Sequence, residues 1–158
     1  VMAAACDIRI AAESARIAFL FTKVGLSGAD MGAAWLLPRI VGHGLASELL
    51  MLGEFIDSKR AAAIGLYNQV VPDNDLAERG MEVARELAAG PAFGLAVTKR
   101  MLDAEWNMSR DEAFSAEGWI QAECMKHPDY DEAYQAFMEK RPKDFRASGA
   151  LGKQGGRS

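Results

Sequence analysis

Cysteine and histidine are both scarce in this chain of 158 residues: Cys6, Cys124, His43 and His127 are all there are. The two cysteines lie far apart and neither sits in a C-x-x-C or histidine spacing, so neither a disulfide framework nor a zinc site organises the fold. No apolar run approaches about 18 residues, which argues against a membrane-spanning helix. Basic residues are the minority, 18 Lys and Arg against 22 Asp and Glu, and the net charge of −4 removes the electrostatic case for nucleic acid or an anionic membrane as partner. No signal segment and no internal repeat are visible. A reduced, cytoplasmic compartment and the absence of a bound metal are the expectations.

What is present is apolar character, half of all residues, in a length that suits one domain with a sizeable core. From Cys6 to Leu26 the pattern is short and alternating: Ile8 and Ile10 interleave with Asp7 and Arg9, Glu13-Ser14 breaks the run, and Arg16–Phe21 resumes it, predicting two strands and a turn. Beyond Asp30 the chain reads as helical. Helices are expected over Ala33–Ile40, interrupted by Pro38, over Leu45–Leu52, and from a Ser58 cap to Ile64. Leu66–Val71 then reads as an edge strand, followed by helices over Leu76–Ala89, Phe93–Trp106, Ala113–Met125 and Tyr130–Lys140. Ser109 and Glu112 have capping-box spacing at one of these boundaries. The glycine-rich tail over 147–158 is expected to be disordered.

The segment that carries chemistry is Val24-Gly25-Leu26-Ser27-Gly28-Ala29-Asp30-Met31-Gly32. It places one carboxylate in a glycine-flanked turn ahead of an apolar helix. Asp30 there has two readings: a helix cap, because its short side chain can accept from exposed N–H groups, or an acid/base group. Phe19, Leu20, Phe21, Val24, Leu26 and Met31 favour the second, since an apolar approach to a carboxylate raises its pKa and fits it to exchange protons. Other polar residues have simpler roles: Glu48 as a solvated helix residue, His43 and His127 as turn residues, and Cys6 as buried packing. Ser27 and Ser58 have no histidine and aspartate arranged to activate them.

This segment, with Leu37-Pro38-Arg39-Ile40-Val41-Gly42 after it, closely resembles a signature of the enoyl-CoA hydratase/isomerase (crotonase) superfamily. Ala4-Ala5-Cys6-Asp7-Ile8-Arg9-Ile10-Ala11, the run from Ala46 through Gly53 to Ala63-Ile64-Gly65-Leu66-Tyr67-Asn68-Gln69-Val70-Val71-Pro72, Gly90-Pro91, and Ala136-Phe137-Met138-Glu139-Lys140-Arg141 are similar to further family motifs, in order, over nearly the whole chain. The resemblance implies an α/β fold of the crotonase-like (ClpP/crotonase) type, a spiral of ββα units followed by C-terminal helices. On that reading residues 1–72 are the later part of the spiral core and 73–146 a helical region that covers an active site or mediates oligomerisation. It also implies an acyl-CoA or enoyl-CoA thioester as substrate, CoA arriving as part of that substrate with no separate cofactor, and a homotrimer or dimer of trimers.

Relatives hold the thioester oxygen in an oxyanion hole of two backbone N–H groups, and both positions would fall ahead of Val1; an N-terminally truncated domain is therefore expected. Hydratases of the family use two glutamates, and by the resemblance these positions are occupied here by Val1 and Phe21. Neither can carry a proton. Dienoyl-CoA isomerases place an aspartate in a similar turn, although Gly25–Asp30 is one residue longer, so Asp30 is the implied catalytic group, with Phe21, Leu26 and Met31 as candidate substrate-binding residues. Lys140 matches a terminal lysine that approaches CoA; a solvated helix-end cation is the alternative. The implied activity is isomerase-like. The competing reading is a truncated, non-catalytic oligomerising homologue, and the isolated chain is expected to expose apolar surface and aggregate.

Overall fold

A computed structural model describes residues 1–147. The chain divides into two compact units, Val1–Glu82 and a second that begins at Val83. The expected tail over 147–158 lies, apart from Ala147, outside the described residues.

In the first unit, β1 (Ile10–Ala12) pairs in parallel with β4 (Gln69–Val71), in the register Ile10 to Gln69 and Ala12 to Val71. The pairing is fixed at its start by side-chain and backbone bonds together: Arg9 N donates to Asn68 Oδ1 at 2.7 Å, and Asn68 N donates to Arg9 O at 2.8 Å. Arg9 also donates from Nε to Leu66 O at 2.6 Å and from its guanidinium to Cys6 O, tying the strand entry to the β4 approach. The second pairing is antiparallel, β2 (Arg16–Ile17) with β3 (Ile56–Asp57). The strand expected over Arg16–Phe21 is thus much shorter. Phe19 turns into the core, and Leu20–Val24 coils into a 3-10 turn that Gly25 closes at φ 77°.

Two helices form the core against these short strands. In α1 (Ala33–Val41), Ala33, Leu37 and Val41 recur every four residues, which puts them on one face, and all three are buried. In α2 (His43–Leu52), Ala46, Leu49 and Leu50 meet them. Pro38 lies inside α1 without breaking it, its missing N–H leaving the Ala34 carbonyl, on the exposed side, without a helical donor. Leu37 and Leu66 are fully buried, and each stabilises the unit by about 1.5–3 kcal/mol through transfer from water.

The short helix α3 (Ser58–Ala63) is capped by Asp57, correcting the expected Ser58 cap. The Asp57 carboxylate reaches the Arg60 N–H at 2.7 Å, while the buried Ser58 hydroxyl is committed elsewhere, donating to Glu13 O at 2.7 Å. Cys6 is exposed, and its expected role in packing is overturned.

Helix α4 (Leu76–Ala89) covers the expected residues and crosses the division between units. In the second unit, α5 (Ala92–Ala104), α6 (Arg110–Cys124) and α7 (Pro128–Glu139) follow. The capping box at Ser109 and Glu112 forms as expected. His127 is more than a loop residue: its Nδ1 accepts from Asp129 N at 3.3 Å at the start of α7, and its ring stacks on Phe93 with centroids 4.8 Å apart. No helix among the described residues is long and apolar enough to cross a membrane.

Candidate active site

The Asp30 turn is built by its glycines. Gly28 packs so closely on α2 that a Cβ there would lie 2.7 Å from the Leu50 carbonyl oxygen. Gly32 has φ 88°, a conformation that favours glycine, and serves as the N-cap of α1. Asp30 is therefore not the helix cap: its Oδ1 accepts from Met31 N at 2.9 Å and its carbonyl accepts from Ala33 N at 2.8 Å, so it orders the turn one step ahead of the helix. Its carboxylate is exposed, and so are Val24, Leu26 and Met31. The enclosing apolar approach expected around Asp30 is an open apolar surface in this chain. Ser27 supports the turn by accepting from Ala29 N at 3.0 Å. Ser27, Gly28 and Ala29, with Ala34 and His43, line part of a cavity of about 280 Å³, which Asp30 does not line.

Phe21 is joined to this segment through the bond from Leu26 N to Phe21 O at 2.9 Å. It also lines a second cavity, of about 300 Å³, and Val1 lines the same one, with Ala18, Phe19, Leu20 and Val24. The two positions at which the resemblance places the hydratase glutamates are thus brought together, and the residues there are apolar.

Lys140 lies in the second unit, at the C-cap of α7, with an exposed side chain and φ 55°. Among the described residues, Met31 and Lys140 are the non-glycine positions with positive φ. The left-handed conformation costs a side-chain-bearing residue about 1–2 kcal/mol, and such strain concentrates at functional sites. The sequence reading did not anticipate the ion cluster beside Lys140. Arg141 donates from its two terminal nitrogens to both Glu132 oxygens, at 2.6 and 2.9 Å, and from Nε to Glu139 at 2.6 Å, while Asp144 N donates to Glu132 at 2.7 Å. The Arg141 guanidinium, and after it the Asp144 N–H, bring the Glu132 carboxyl down to about 2, and the same bond to Glu132 pushes Arg141 upward. Arg141 follows the helix end, where helical periodicity gives no hint of a partner nine residues earlier. Glu48 is exposed as expected, and His43 opens α2. Among the described residues no group of three or more His, Cys, Asp or Glu side chains could hold a metal ion.

The family model for enoyl-CoA hydratase/isomerase matches residues 1–148. The chain is 37% identical over 139 residues to 1,2-epoxyphenylacetyl-CoA isomerase of Escherichia coli (strain K12), covering 88% of this chain and 53% of that protein. It is 32% identical over 148 residues to mitochondrial Delta(3,5)-Delta(2,4)-dienoyl-CoA isomerase of Dictyostelium discoideum, covering 93% and 50%. A Streptomyces coelicolor A3(2) protein, crystallised as a candidate enoyl-CoA hydratase, superposes with a TM-score of 0.88 and 46% identity over 91% of this chain and 52% of that one. The chain spans about half the length of the relatives it matches. On sequence and fold together, the chain belongs to the enoyl-CoA hydratase/isomerase (crotonase) family.

Proposed function

We propose that this chain is the later part of an acyl-CoA-processing enzyme that moves protons by way of an enolate, with Asp30 as its acid/base, and that it does not hydrate double bonds by a two-glutamate route. The observation that carries the reading is the shared cavity of Val1 and Phe21, since neither residue can activate or deliver a water. Similarity to two proteins named as isomerases points the same way.

In the proposed reaction the Asp30 carboxylate takes a proton from a carbon conjugated with the thioester. The C–H pair shifts into the conjugated system, and negative charge collects on the thioester oxygen. The resulting carboxylic acid then returns the proton to a different carbon, so a double bond moves with no net gain or loss of atoms. Backbone N–H donors from an upstream segment hold the oxyanion, each worth about 2.7–4 kcal/mol of barrier. That segment also covers the open apolar surface of Val24, Leu26 and Met31, drying the site. Lys140 meets the CoA moiety. CoA enters with the substrate, and no separate cofactor is part of the proposal.

Association into a trimer or a dimer of trimers, and a cytoplasmic location, belong to the same proposal. Exposed Phe114, Trp119 and Leu102 support the first, and free Cys6 and Cys124 suit the second. The test is Asp30→Asn in the intact protein, assayed for double-bond migration in a series of enoyl-CoA and dienoyl-CoA thioesters. Turnover falls by about 10²–10⁴-fold if Asp30 transfers the proton. Wild-type turnover in that variant contradicts the assignment.

A further inference from the structure

Asp30 O accepts from Ala33 N at 2.8 Å, and the two residues between them both have positive φ, Met31 at 51° and Gly32 at 88°. That is the pattern of a type I′ turn, in which glycine, asparagine and aspartate predominate. Gly32 suits it and Met31 does not. The turn is anchored on both sides: Gly28 lies against the Leu50 carbonyl with no room for a Cβ, and Ala33 is fully buried at the start of α1. The fold therefore holds Met31 in a conformation that glycine would adopt with less strain. Packing of the side chain does not offset that strain, because Met31 is 66% exposed. Strain of this kind, held in place by the structure around it, concentrates where a protein acts on a ligand.

The conformation of Met31 bears on Asp30 in two ways. Its N–H donates to Asp30 Oδ1 at 2.9 Å and so fixes the carboxylate, while Oδ2 takes no hydrogen bond among the described residues and is left to exchange protons. Its side chain departs one residue from that carboxylate and is exposed, as are Val24 and Leu26. Methionine is unbranched and polarizable, and it moulds itself to apolar neighbours of irregular shape. Water beside a carboxylic acid exchanges the proton that the acid carries, and it weakens every electrostatic interaction of the site.

We propose that Met31 is an apolar cover for Asp30: its side chain lies along the bound acyl group and keeps water from the proton that Asp30 carries from one carbon to another. This rests on the proton-transfer reading above. Strain kept for function returns at least its own cost in rate, a factor of roughly 5–30.

The experiment runs the intact protein in D2O on the enoyl-CoA or dienoyl-CoA thioester that it isomerises, and reads kcat together with the deuterium in the product at low conversion. In the wild type most turnovers return the substrate's own proton. Met31→Gly and Met31→Asn suit the left-handed turn better, yet each is expected to lower kcat by roughly 5–30-fold and to at least roughly double the deuterium in the product. Met31→Leu, which keeps an apolar cover, stays within about twofold of the wild type in both. Thermal melting reports folding, and if one relaxed variant fails to fold the other carries the comparison with Met31→Leu. Glycine and asparagine variants as active as the wild type, with no more deuterium, overturn the cover, because a residue that only shapes the turn gives that result. A wild-type product that is already fully exchanged overturns it too. If Asp30→Asn is inactive while Met31→Gly matches the wild type, the cover alone falls. If Asp30→Asn turns over as the wild type does, or no thioester is isomerised, the proton-transfer reading falls and the cover with it.

Discussion

Gly28→Ala tests the link between packing and the site. The added methyl would stand 2.7 Å from the Leu50 carbonyl oxygen and 3.1 Å from Leu50 Cβ. Ordinary contact begins near 3.4 Å, so the turn and α2 must separate by about 0.7 Å. Neither obstacle is the far end of a flexible side chain: one is backbone, and the other is the root of a buried residue in the core. Overpacking of this kind costs about 1–3 kcal/mol, or roughly 2–10 °C in Tm. Asp30, two residues on, moves with the turn. A displacement near 1 Å at a reacting group costs on the order of 10²-fold in rate, so kcat is expected to fall by roughly 10–100-fold. Gly44→Ala is the matched control, because nothing lies within 4 Å of its added Cβ and its φ is not in the left-handed range. It is expected to be neutral or to stabilise α2 by up to about 1 kcal/mol. Thermal melting and steady-state kinetics on both variants make the comparison. Wild-type Tm and kcat in Gly28→Ala would refute the reasoning, because they would show that the turn is not held against Leu50.

Other expectations follow from single residues. Leu37→Ala, at a fully buried position, is expected to destabilise the protein by about 2–5 kcal/mol in urea unfolding. Asp57→Ala removes the acceptor of the Arg60 N–H and is expected to cost about 0.5–2 kcal/mol in the same assay, whereas a Ser58 cap would have left that change silent. The Glu132 carboxyl lies at about 2 in the folded protein, below its value near 4.3 in an unfolded chain. Its contribution is therefore present in full above about pH 4.3 and is lost as pH falls toward 2. In acid titrations the stability gap between wild type and Glu132→Gln is expected to close over that window, and a gap independent of pH would contradict the assignment.

Much of the fold was legible because it rests on local rules. The four-residue recurrence of Ala33, Leu37 and Val41, the glycine stop at Gly53 and the capping box at Ser109 all act within one or two turns of chain. The site was legible only in part. Its motif placed Asp30 in the turn ahead of α1, but the capping role went to Gly32, because φ 88° at that position suits glycine and Asp30 instead bonds its own neighbour. The strand over Arg16–Phe21 looked continuous in pattern. Burial of Phe19 and the 3-10 turn after it, which depend on tertiary packing, ended it early. The Glu132–Arg141 pair joins a helix to the chain beyond it, and helical spacing does not report such a pair.

The most direct measurement of the central claim is the mass of the product formed when the intact protein meets a 2-enoyl-CoA or a dienoyl-CoA. With Val1 and Phe21 at the two glutamate positions, a product of unchanged mass whose double bond has moved is expected. A product heavier by one water, formed at a rate that Asp30→Asn does not alter, would contradict it.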